Sequence, residues 1–188
     1  MQEPSESAAL KIEEKLTDEQ REKIGAIDNL EMGAYPKAMC VLVALEMKPA
    51  TEISLALWNS SPEEVKRVLE AAGLKVFQKP LAPNENLTAA LIVAKEEAII
   101  EEMKTLSAEK DHRRYGELMG FTNSMIDAFE IKSQRLPNEE RPREPAAKIF
   151  WVVLSRDHLQ DEMKLLRQWA AGLKKYAPKA YQELLGSE

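Results

Sequence analysis

The chain contains a single cysteine, Cys40, so no disulfide can close within it and no cage of thiolates can hold a metal. That usage suits a reducing compartment. It has only two histidines, His112 and His158, so any imidazole chemistry must use one or both. No P-loop, dinucleotide fingerprint, G-x-S-x-G or H-E-x-x-H run occurs, which removes the common enzyme classes those motifs mark. The longest apolar run, 38–45, falls far short of the roughly 20 residues a membrane span needs. The opening Gln2-Glu3-Pro4-Ser5-Glu6 lacks the basic start and apolar stretch of a secretory signal. Basic side chains are outnumbered, 26 Lys and Arg against 32 Asp and Glu, for a net charge of -6. That balance argues against general nucleic-acid affinity and leaves room only for a local patch. These absences lead us to expect a cytoplasmic protein with no membrane contact and no bound cofactor.

With 188 residues and 44% hydrophobic side chains, the chain can bury one core, with or without a helical extension. Residues 1–48 read as a helical arm, beginning with a polar stretch over 1–7. Ile12 and Leu16 start an apolar stripe, and Thr17-Asp18-Glu19-Gln20 is a capping box. Between Pro36 and Pro49, the run 38–47 reads as a buried helix, with a central strand as the alternative.

Residues 51–155 read as the α+β core. Ile53, Leu55 and Leu57 alternate as in a half-buried strand. Ser61-Pro62-Glu63-Glu64 opens a helix that Gly73 stops. Val76 and Phe77 mark a short strand, 82–86 a turn, and 87–94 a strand apolar on both faces, hence central. A helix follows from Lys95-Glu96-Glu97, and 148–154 (K-I-F-W-V-V-L) predicts a last strand. That order is a four-stranded split-βαβ, or ferredoxin-like, sheet. Both helix-sized segments are expected on one face, with a helix pair inserted at 111–130 and an exposed Pro-rich charged loop at 134–145. Over 156–188, Ser155 is expected to cap a long helix and Pro178 to restart a final one. The passages I-V-A-K-E-E and V-L-S-R-D-H echo each other and raise the possibility of an internal repeat.

The densest polar cluster is Asp111-His112-Arg113-Arg114-Tyr115. Two adjacent arginines can fork onto a carboxylate or phosphate, and an imidazole can carry protons near neutral pH. The plainer alternative is a solvated helix turn, with Asp111 as cap and the arginines paired to Glu109 or Glu117. His158 follows the expected last strand. Should it meet His112, the two would make a proton-transfer or metal pair with Asp111 or Asp157, and with both carboxylates a set that could satisfy zinc, against the simpler reading of two surface histidines. Cys40, in its apolar run, reads as an inert core thiol. Trp151 and Trp169 read as core, and Trp58, at the end of a strand, as a candidate contact for a partner.

Two resemblances attach to this stretch. Gly120 closes one short helix, Thr122 or Asn123 caps the next, and Met125, Ile126 and Phe129 form its apolar face. The spacing resembles the helix-turn-helix of DNA-binding regulators, with Gly116 as the small residue of the first helix and Ile126 as the buried aliphatic of the second. The second helix would then face DNA with Asn123, Ser124, Asp127 and Glu130, and with Lys132 and Arg135 only at its end. Acidic groups there oppose phosphate. D-H-R-R-Y-G-E-L-M-G-F also resembles the D-H-x-x-x-G-x-L-x-G-[FY] signature of an uncharacterised prokaryotic protein family. That resemblance extends loosely over 36–129 and implies an intracellular α+β protein without implying an activity. The signature's Pro-x-Cys-Cys continuation is replaced by Thr122, Ser124 and Met125, so the thiols of a metal or redox role are missing.

Together these features point to a non-enzymatic binding or adaptor protein with a protein partner, touching it through 111–130 and 134–145. The competing expectations are a small anionic ligand or substrate held by Asp111, His112, Arg113, Arg114, Tyr115 and His158, and a DNA-binding regulator.

Overall fold

The computed structural model describes residues 16–56, 60–80, 87–107 and 110–186. The expectations for 1–7, Ile12, Trp58, the turn at 82–86 and Glu109 lie outside the described residues. The capping box forms as its residues dictate: Gln20 N–H donates to Thr17 Oγ1 and Thr17 N–H to Gln20 Oε1, opening α1 (Asp18–Asp28). Next, α2 (Ala34–Ala44) makes the 38–44 part of the 38–47 run a helix that ends before Leu45, and its residues from Lys37 to Ala44 are all buried. β1 (Ala50–Ala56) leads to α3 (Pro62–Ala71), where Ser61 Oγ accepts from Glu64 N–H at 3.2 Å. Gly73 stops that helix with φ of +81°, the left-handed turn that glycine adopts without a Cβ clash.

β2 (Lys75–Lys79) and β3 (Leu87–Ala94) complete a three-stranded antiparallel sheet, ordered β1-β3-β2. Ile53 pairs with Leu91 and Phe77 with Ile92. The central place expected for 87–94 is therefore observed. α4 (Glu97–Thr105), α5 (His112–Leu118) and α6 (Asn123–Glu130) follow. Two 3-10 turns, Lys132–Gln134 and Asn138–Glu140, carry the charged loop into α7 (Pro145–Ile149). The long α8 (Leu159–Tyr176) and α9 (Pro178–Gly186) end the fold.

The overall α+β class fits, but the four-stranded ferredoxin-like sheet does not. Among the described residues there is no fourth strand. Pro145 supplies the fixed φ of a helix start, and Ala146, Ala147 and Ile149 bury a short helix where the strand was expected to begin. The rest of that segment runs on without joining the sheet, linked to the loop by one isolated bridge, Arg135 to Ser155. V-L-S-R-D-H is thus not a strand-to-helix passage like I-V-A-K-E-E, and the echo is not a structural repeat.

The two covering helices also differ from expectation. Val65 and Leu69 of α3 pack into the cluster holding Ala89, Leu91 and Val93, whereas Ile100 and Met103 of α4 pack with Ile92 and Ala94. Side chains alternate along a strand, so α3 and α4 lie on opposite faces of β3. Each such fully buried aliphatic is worth ~1.5–3 kcal/mol in area terms. The larger cluster unites α1, α2, α3 and α6 to α9 on one face; the smaller joins α4 and α5 on the other.

Polar pegs fix the helices. Asp28 accepts from Lys179 N–H and Ala180 N–H, satisfying the first turn of α9 from across the fold. Glu162, fully buried in α8, accepts from Ser124 Oγ at 2.6 Å and Ser155 N–H at 2.7 Å. Ser155 does not cap α8 as expected: its Oγ accepts from His158 N–H at 3.0 Å, and His158 is the residue that precedes the helix. No described helix is long and apolar enough to cross a membrane.

Candidate functional site

α5 and α6 form the expected helix pair, turned by Gly120 at φ of +78°, with Thr122 Oγ1 accepting from Met125 N–H. A Cβ on Gly116 would stand 3.0 Å from Ile126 Cγ1, so the small residue is what lets the helices close.

The polar cluster on this pair is satisfied from within. Arg113 donates to Asp127 and, at 3.1 Å, to Glu130, which also stands 3.1 Å from His112 Nε2. Arg114 forks onto Glu102 and reaches Glu117 at 3.1 Å. Hydrogen bonds from Arg114 hold the Glu102 carboxyl below its ordinary range, and the bond to Asp127, with support from Glu130, holds the Arg113 guanidinium above its own. Tyr115 donates to Glu52 on β1, which also pairs with Lys79 at 2.9 Å. Asp111 accepts from Ser107 N–H and makes no side-chain cap to α5. The plainer expectation was right about Glu117, but Glu102, Asp127 and Glu130 carry most of the pairing.

His158 is exposed and makes no hydrogen bond, ion pair or ring contact with any of Asp111 to Tyr115. Among the described residues no group of His, Cys, Asp and Glu could hold a metal ion. Cys40 is fully buried, and burial pushes its thiol up to about 12, as an inert core thiol requires.

A concavity lies elsewhere. A groove of about 1050 Å³ runs between the start of α2 with the end of α9 and the loop leading to α7. Tyr35, Pro36, Leu184 and Leu185 form one wall, and Asn138, Pro142 and Trp151 the other. Arg141 lies along the second wall. It donates to the carbonyls of Ala147, Phe150 and Val152, which fixes the loop against the segment after α7. None of Asp111, His112, Arg113, Arg114, Tyr115 or His158 lines this groove.

Trp151 was expected in the core and is instead 87% exposed at the groove's rim, while Trp169 is buried as expected. The signal was present in the run I-F-W-V-V-L. Phe150, Val152 and Leu154 point inward, so the alternate position holding Trp151 points out. Tyr35, Arg141 and Leu184 carried no comparable signal, because only the tertiary fold brings them together. Searches against protein families, curated proteins and solved structures return no match for this chain.

Proposed function

We propose that this chain is a non-enzymatic cytoplasmic binding protein, an adaptor that holds a segment of a partner protein in the groove between α2, α9 and the 138–142 loop. One observation carries the reading: an indole that is 87% exposed stands at the mouth of a groove walled by tyrosine, proline and leucine. Exposed large aromatics at a concave apolar surface are the usual anchors of protein recognition. Part of the expected contact region, the loop at 134–145, supplies one wall. A lone, buried, inert thiol agrees with a reducing compartment.

The reading that places an anion on Arg113 and Arg114 loses support from their pairing. A ligand would have to displace the carboxylates of Asp127, Glu130, Glu102 and Glu117 first. The DNA reading meets the same acidic groups on α6.

Selection of short random peptides displayed on phage tests the groove. The enriched peptides should bind the wild-type chain and lose about tenfold or more in affinity on Trp151→Ala or Leu184→Glu. They should bind the Arg113→Ala, Arg114→Ala double variant unchanged. Peptides indifferent to Trp151 but lost with the two arginines would overturn the proposal.

A further inference from the structure

We draw no further inference here: the strongest candidate, the groove between the start of α2, the end of α9 and the 138–142 loop with Trp151 at its rim, belongs to the site already described, and nothing in the structure shows what covers it.

Discussion

The ammonium of Lys48 stands 4.3 Å from the centre of the Trp169 ring, on a side chain that is only 2% exposed. The ring of Phe121 lies 4.7 Å away, and no described carboxylate pairs with it. Lys48 is thus a cation closed between two aromatic faces, where the helix pair meets the core.

Burial lowers the Lys48 ammonium from its ordinary 10.5 to about 7. The ring faces act the other way, since each favours the charged form by ~0.5–2 kcal/mol. The folded value lies below the unfolded one, so the sign follows by linkage. Below about 7 both states carry the proton and the burial cost is fully present. Between about 7 and 10.5 the unfolded chain holds the proton that the folded chain has lost, and stability rises with pH. The gain is at most ~1.4 kcal/mol per pH unit. Lys48→Met keeps the stem and both ring contacts without the charge. It should raise the urea midpoint at pH 6 by the equivalent of ~1–3 kcal/mol. Its advantage over wild type should shrink as the pH climbs toward 10. An advantage that stays constant with pH would show that Lys48 keeps its proton throughout.

The local grammar of the chain was readable, and its long-range geometry was not. Thr17 with Gln20, Ser61 with Glu64, and Gly73 each act within a few residues, so their roles follow from spacing alone. β3 announced its central place by being apolar on both faces. That same property hid which face each helix would take, because Leu91 and Ile92 are equally suited to either side. The 148–154 run has strand propensity, but Pro145 and the two alanines after it start a helix that reaches Ile149 and takes the beginning of the run. In the candidate site, Asp111 to Tyr115 was visible as a cluster, but the carboxylates that satisfy it come from α4 and α6. The groove was illegible because Tyr35, Trp151 and Leu184 are far apart in the chain.

Gly120 and Gly73 separate backbone strain from crowding. Both have positive φ, at +78° and +81°. A Cβ at Gly73 would meet nothing within 4 Å, whereas one at Gly120 would stand 3.0 Å from Pro49 Cδ and 3.5 Å from Lys48. Gly73→Ala should cost ~1 kcal/mol, the left-handed penalty alone. Gly120→Ala should cost ~2–4 kcal/mol, because Pro49 is held by its own ring and the Lys48 backbone must also give. Chemical denaturation of the two variants checks the order. Equal losses would mean that the contact between the helix pair and the 48–49 turn relaxes freely.

Arg141 and Arg114 present opposite cases of a well-bonded arginine. Arg114 binds Glu102 and Glu117 on the surface, where water competes for every partner. Arg114→Ala should therefore leave the unfolding midpoint within experimental scatter. Arg141 replaces backbone: its N–H groups satisfy the carbonyls of Ala147, Phe150 and Val152, which have no other described donor. Removing it strands those acceptors and releases the loop that walls the groove. Arg141→Ala should cost ~1–3 kcal/mol. Arg141→Lys should recover little of it, because an ammonium cannot fork across carbonyls on alternate residues. Hydrogen exchange gives the finer readout. In Arg141→Lys, the amides of Leu136 and Arg156, which pair the loop with the segment after α7, should lose protection while those of β3 keep theirs. If the loop amides stay protected, the backbone bridge at Arg135 and Ser155 holds this segment without the guanidinium.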